Sequence, residues 1–136
     1  MMISTKGRYA MRVMADLAEH IGETVPLSDI AKRQEISLKY LEAIVSALSR
    51  AGLIESQRGK SGGYRLNRKP EEYTVGSILK LTEGGLAVVS CTAEGPAACA
   101  RQACCETRPM WDKLDKMIDD FFEGITLADL LKENME

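Results

Sequence analysis

Four cysteines lie close together in this 136-residue chain, at Cys91, Cys99, Cys104 and Cys105. Cys91, Cys99 and Cys105 follow a Cys-x7-Cys-x5-Cys spacing, immediately ahead of Thr107-Arg108-x-x-Trp111. Soft thiolates in a loop suit an iron–sulfur cluster. Exposed thiolates also oxidise readily, which makes a thiol–disulfide switch the second reading. Structural zinc sites usually carry two Cys-x2-4-Cys pairs, and this chain has only one such spacing, Cys99-x4-Cys104. A purely structural role as small buried apolar residues fits poorly, because the segment has no apolar periodicity. Nucleophilic catalysis by one of these thiols needs a base beside it. The single histidine, His20, is far away in sequence and is expected at the surface rather than as a ligand. No enzyme is expected.

The second chemical feature is the stretch Arg58-Gly59-Lys60-Ser61-Gly62-Gly63. Three glycines and two cations let backbone and positive charge approach an anion closely, and nucleic-acid phosphate is the obvious candidate. The elements on either side explain how such a tip would be held. Leu38, Leu41, Ile44, Val45 and Leu48 recur at three- and four-residue steps, predicting a helix with one buried stripe and Ser37 as its cap. Lys39, Tyr40, Glu42, Ala43, Ser46 and Arg50 remain on its other faces. Gly52 is placed to end that helix, and residues 53–66 read as a hairpin whose tip is the basic, glycine-rich stretch. Upstream, Pro26-Leu27 opens a short helix with Leu27, Ile30 and Ala31 inward and Lys32-Arg33 outward. A short helix, a tight turn at Gln34-Glu35-Ile36 and a longer helix match a helix-turn-helix arrangement. The hairpin makes it a winged one.

The remaining elements complete the plan. Ser4 or Thr5 is suited to cap a first helix carrying Tyr9, Ala10, Val13, Met14, Leu17, Ala18 and Ile21 on one stripe, stopped by Gly22. Lys6, Arg8 and Arg12 lie in its first turns, where a helix N-terminus already favours phosphate. Thr74 is placed to cap a helix with Val75, Ile78, Leu79 and Leu81, ended by Gly84-Gly85. From Thr107 a long helix is expected, with Trp111, Leu114, Ile118, Phe121 and Ile125 as an a/d seam that Met117 and Phe122 widen. A small winged helix has little surface to cover such a helix, so the seam is expected at a homodimer interface. Residues 127–131 read as a last short helix folding back. The fold class is therefore mainly α with a small β-hairpin wing. Residues 1–83 form a winged helix-turn-helix DNA-binding domain, residues 84–106 a cysteine-containing sensor loop, and residues 107–136 a dimerisation helix with its C-terminal tail.

Charge supports one-ended binding. The overall net charge is only −2, but residues 1–69 hold 12 Lys and Arg against 7 Asp and Glu. Residues 70–136 hold 6 against 13. A basic first half and an acidic second half suit a protein that meets nucleic acid with one end. Apolar content of 45% with 28% charged residues is that of an ordinary globular chain. No apolar run approaches the roughly 18 residues needed to span a bilayer, and the N-terminus lacks the apolar core of a signal peptide. A cytoplasmic protein is expected, where disulfide staples are rare.

Taken in order, these segments make the chain resemble the Rrf-two family of bacterial transcription regulators. The resemblance spans nearly the whole chain. It rests on Thr5-Lys6-Gly7-Arg8-Tyr9-Ala10, Ile36-Ser37-Leu38-Lys39-Tyr40-Leu41-Glu42, Arg58-Gly59-Lys60-Ser61-Gly62-Gly63-Tyr64, and Cys105-Glu106-Thr107-Arg108 before Trp111. It implies a homodimer on a partly palindromic operator in double-stranded DNA, with the long helices crossing at the interface. In that frame Ser37, Lys39, Tyr40, Glu42 and Ala43 come nearest the bases. Glu42 would tune specificity, since a carboxylate accepts from cytosine N4 yet is repelled by phosphate. Arg58, Lys60 and Arg65 would set the wing on phosphate or in the minor groove, and Lys6, Arg8 and Arg12 would hold flanking backbone. The resemblance further implies that Cys91, Cys99 and Cys105 ligate an iron–sulfur cluster. Relatives supply a histidine or an acidic residue as fourth ligand, at positions that here are Arg108 and Arg8. The candidates left are Cys104, Glu106, a group from the other subunit, or a small exogenous molecule. A cluster-free regulator controlled by thiol oxidation, or by a metabolic enzyme partner as in some relatives, is the alternative.

Overall fold

The structure is a computed structural model that describes residues 2–93, 101 and 103–131. Among these described residues, six α-helices and one hairpin follow in order: α1 Thr5–Glu19, α2 Leu27–Gln34, α3 Leu38–Arg50, β1 Ile54–Gln57, β2 Gly63–Leu66, α4 Val75–Glu83, α5 Arg108–Glu123 and α6 Leu127–Leu131. Short 3-10 turns lie at Pro70–Glu72 and Ser90–Thr92.

Local chemistry sets the boundaries. Ser4, Ser37 and Thr74 are the N-caps of α1, α3 and α4, and each side chain accepts a backbone N–H three residues on. Such caps satisfy donors that the first helical turn leaves orphaned. Gly84 ends α4 in the left-handed region at φ 71°. After α3 the C-cap is Ala51, one residue earlier than the Gly52 expected, and Gly52 follows with a left-handed φ of 77°. Pro26 likewise stands just before α2 as its N-cap rather than inside its first turn.

The apolar stripes of α1, α2 and α3 converge on one core, joined by Ile54 and Leu66 of the hairpin, Tyr73, Ile78 of α4 and Leu127 of α6. Each fully buried aliphatic side chain contributes about 1.5–3 kcal/mol to such a core. Leu38 departs from expectation. It is 47% exposed, and Ile36 in the turn before α3 is buried instead. Ile21 is also half exposed, because α1 has ended before it.

The hairpin is antiparallel, with Ile54 opposite Leu66 and Gln57 opposite Gly63. It docks on the loop before α2 through two bonds between Val25 and Tyr64, N to O, each 2.8 Å. The buried Tyr73 hydroxyl donates to the Leu53 carbonyl at 2.7 Å and accepts from the Asn67 amide at 3.2 Å, fixing the base of the wing. The C-terminal segment returns to this core. Val75 N donates to the Ile125 carbonyl at 2.8 Å and Leu127 N to the Tyr73 carbonyl at 3.1 Å. Leu127 and Ala128 of α6 are buried.

Helix α5 differs from the others in burying no residue fully. It is fastened to α4 by charge. Lys80 pairs with Asp119 and with Glu123, and Glu123 also accepts from the Thr74 hydroxyl at 2.9 Å. Its expected apolar seam is only partly outward: Leu114 and Phe121 are exposed, as is Met117 beside them, whereas Trp111 and Ile118 are half-buried and Ile125 lies beyond the end of the helix.

Candidate nucleic-acid interface and cysteine segment

Helix α3 turns Leu41, Ile44, Val45 and Leu48 into the core. That rotation leaves exposed Ser37, Lys39, Tyr40, Glu42 and Ala43, the set expected nearest the bases, and Ser46 with them. Tyr40 is only 38% exposed, because its ring meets that of Tyr9 in α1 edge to face, with centroids 5.5 Å apart. The contact brings the start of α1, with exposed Lys6 and Arg8, beside α3. Arg8 donates to the Thr5 hydroxyl at 3.1 Å. The same N-terminus is pinned to the end of α4, since Ser4 donates to the Glu83 carboxylate through its amide at 3.1 Å and its hydroxyl at 2.6 Å.

At the wing, Arg58 and Lys60 stand on the exposed tip, where Gly59 adopts φ 109° and Gly62 N closes onto the Gly59 carbonyl at 3.0 Å. Arg65 lies on β2 rather than at the tip and pairs across the strands with Glu55 at 3.1 Å. Arg12 is also engaged, donating to the side chain of Gln34 at 3.1 Å and to its carbonyl.

Helix α2 of the helix-turn-helix is fastened to α1 by a network that spacing in the sequence does not reveal. Asp16 of α1 is the one buried charged residue among those described. It accepts from Arg33 Nε at 3.0 Å, Arg33 Nη2 at 2.7 Å and Gln34 Nε2 at 2.9 Å. Burial alone would raise its pKa, but the hydrogen bonds from Arg33 and Gln34 and the nearby positive charge outweigh it, so the carboxyl lies below its ordinary value. Arg33 was expected simply to face outward. His20 is half-buried, with Nδ1 2.8 Å from the Asp16 carbonyl. The available signal was Asp16 itself, a carboxylate on the edge of the α1 stripe beside the line of Tyr9 and Val13.

The cysteine segment connects α4 to α5. Cys91 is half-buried in the 3-10 turn at Ser90–Thr92, and its carbonyl accepts from Arg108 Nη1 at 3.0 Å. Arg108 also pairs with Asp112 at 2.9 Å, so one guanidinium ties the root of the segment to the start of α5. Cys105 is half-buried, and its Sγ lies 3.3 Å from the Thr107 hydroxyl. That hydrogen bond, with help from the Thr107 and Arg108 amides, holds the thiol below its usual pKa. Cys104 and Glu106 are exposed, and Cys99 lies outside the described residues. Among the described residues no three Cys, His, Asp or Glu side chains are grouped as metal ligands. The donor chemistry nevertheless suits a thiophilic group, with Cys91 and Cys105 both free thiols and two further cysteines, Cys99 and Cys104, between them in sequence. Arg108 offers no lone pair and serves here as a strut.

Residues 3–133 match the model of the Rrf2 family, described as an iron-dependent transcriptional regulator. The chain belongs to the Rrf2 (Rrf-two) family. It is 42% identical to the HTH-type transcriptional regulator IscR of Aliivibrio salmonicida over 135 residues, 98% of this chain and 79% of that one. Against IscR of Vibrio campbellii the identity is 39% over the same shares. Among solved structures, CymR (YrzC), the global cysteine regulator of B. subtilis, superposes with a TM-score of 0.80 at 34% identity, covering 98% of both chains. IscR of T. potens gives 0.76 at 36% identity, covering 98% of this chain and 88% of that one. The winged-helix reading holds, and this Rrf2 chain is a DNA-binding transcription regulator rather than an enzyme. Among the described residues no helix is long and apolar enough to cross a membrane.

Proposed function

We propose that this Rrf2 regulator represses transcription as a homodimer on a partly palindromic operator, and that an iron–sulfur cluster held by Cys91, Cys99 and Cys105 sets its DNA affinity. The observation that carries the proposal is the position of the cysteine segment. It leaves α4 directly after Glu83, which grips the DNA-facing start of α1, and it ends at α5, whose apolar seam is partly exposed at Leu114 and Phe121. A change of order in that segment therefore acts on two elements at once. When bound, the cluster supplies a redox-sensitive cross-link between the two ends of the segment. A second copy of the chain is the natural cover for the seam of Trp111, Leu114, Ile118, Phe121 and Ile125. Beside it runs an apolar groove lined by Tyr9, Met11, Val75, Leu79 and Phe122. A cluster-free switch by thiol oxidation is the second reading, favoured by the lowered pKa of Cys105 next to exposed Cys104.

Protein purified without oxygen is expected to be brown and to sediment as two chains. A Cys91→Ala, Cys99→Ala, Cys105→Ala variant should lose the visible absorption. Colourless unaltered protein that still binds DNA would remove the cluster and leave oxidation as the signal. Sedimentation as a single chain would remove the dimer.

The DNA roles separate by salt and sequence. Lys60→Ala is expected to weaken binding to every duplex alike and to reduce the salt slope by about one. Tyr40→Ala is expected to reduce discrimination between operator and random DNA while the salt slope stays the same. Filter-binding titrations that gave the two variants the same profile would refute this division.

A further inference from the structure

We propose that Tyr9 is a positioning residue for sequence reading, holding Tyr40 in place and linking it to the groove beside α5. The inference rests on the reading of Tyr40 as a residue that faces the bases. Three contacts meet at the Tyr9 ring. Tyr40 lies edge to face with it at 5.5 Å and an interplanar angle of 83°. The Arg12 guanidinium sits 5.3 Å from the ring centroid. The ring also lines the apolar groove together with Phe121, Phe122 and Ile125.

Each contact restricts a different freedom. An edge-to-face pair fixes the direction of both rings, because the positive edge of one seeks the negative face of the other. The guanidinium favours the ring face for the same electrostatic reason. Arg12 is itself held by the side chain and carbonyl of Gln34, and Gln34 donates to buried Asp16 at 2.9 Å. A continuous chain of contacts thus runs from Asp16 through Gln34, Arg12 and Tyr9 to Tyr40. Tyr40 needs such support. It lies in the first turn of α3 with 38% of its surface exposed, so the core does not settle its rotamer. Whatever fills the groove then bears on the ring that orients Tyr40.

The test uses the full chain and two duplexes: one enriched by the unaltered protein from a random-sequence library, and a scrambled version of the same composition. The ratio of the two affinities is the readout. Tyr9→Ala is expected to lower that ratio about fivefold, the size of an aromatic pair's orienting effect. Tyr9→Phe, which keeps the ring, should stay within about twofold of the unaltered protein. In Tyr9→Ala/Tyr40→Ala the ratio should be no lower than in Tyr40→Ala alone, the signature of a residue acting through its neighbour. If Tyr9→Ala fails to fold, Tyr9→Leu fills the groove without an aromatic face and carries the same expectation. A normal ratio in Tyr9→Ala or Tyr9→Leu, or additive losses in the double variant, overturns the inference. So does a Tyr9→Phe loss as large as that of Tyr9→Ala, which would assign the role to the hydroxyl. An unchanged ratio in Tyr40→Ala overturns the base-reading role first, and the positioning role with it.

Discussion

Replacing Asp16 by alanine is expected to destabilise the fold by about 3 kcal/mol at pH 7, because it breaks a buried ion pair from its buried side. The carboxylate is inside the protein and accepts three side-chain hydrogen bonds, two from Arg33 and one from Gln34. Removing it strands those donors on α2 and opens a gap under the helix-turn-helix. Arg33 is 39% exposed and can turn to water, which keeps the loss at the lower end of the usual range for a broken buried pair. In a chain of this size that corresponds to a fall in melting temperature of about 10 °C. Asp16→Asn keeps the shape and loses the charge, and should fall between the two.

The pH dependence gives this prediction a second handle. The folded-state pKa of Asp16 lies below its ordinary value of 3.8. The folded chain therefore binds fewer protons at this site than the unfolded chain, and the site's stabilisation grows as pH rises through that window. It is fully present above the unfolded value and is lost as pH falls through the folded one. The gap in melting temperature between Asp16→Ala and the unaltered chain should hold steady from about pH 7 to pH 5 and close as the pH drops below about 4. Equal melting temperatures at pH 7 would show that the network does not hold the helices. A gap that widened on acidification would have the wrong sign.

What was legible in the sequence follows the range of the interactions involved. Ser4, Ser37 and Thr74 cap helices through bonds spanning three residues, so the spacing of residue types was sufficient to find them. The stripes of α1 and α3 and the glycine-tipped hairpin were readable for the same reason, since periodicity reports which face is buried. Asp16 and Arg33 are 17 residues apart on different helices, and no local pattern joins them. The pairing of Arg65 with Glu55 is likewise set by the hairpin register, which places residues ten apart opposite one another. Leu38 matched the α3 stripe by spacing, yet it stands at the helix's first position, where Ile36 from the preceding turn is the buried residue. The cysteines were plain as residue types, but a ligand set is a matter of distances.

Gly63→Ala is expected to be a severely damaging single methyl in the DNA-binding half. A Cβ at this position would lie inside contact distance of the Val25 carbonyl and 2.7 Å from the Pro26 nitrogen. These are backbone atoms, which cannot swing aside as a side chain would. The backbone of Gly63 is not in the left-handed region, so alanine is acceptable in conformation and only the close approach forbids it. Two outcomes are open to the chain, and both are costly. The loop before α2 shifts and strains the core, at about 2–3 kcal/mol for overpacking. Otherwise the hairpin lifts and loses both 2.8 Å bonds between Val25 and Tyr64. Either way Arg58 and Lys60 leave the position in which the wing presents them. Affinity for every duplex should fall by about tenfold, as expected when phosphate contacts rather than base contacts are lost. Gly59→Ala provides the contrast, because φ there is 109° but nothing lies within 4 Å of the added carbon. Its cost should be only about 1 kcal/mol of backbone strain, with the wing left docked. Thermal melts and binding titrations on the two variants test the assignment. If Gly63→Ala melted within a degree or two of the unaltered chain, the docking of β2 on Val25 would not be what holds the wing.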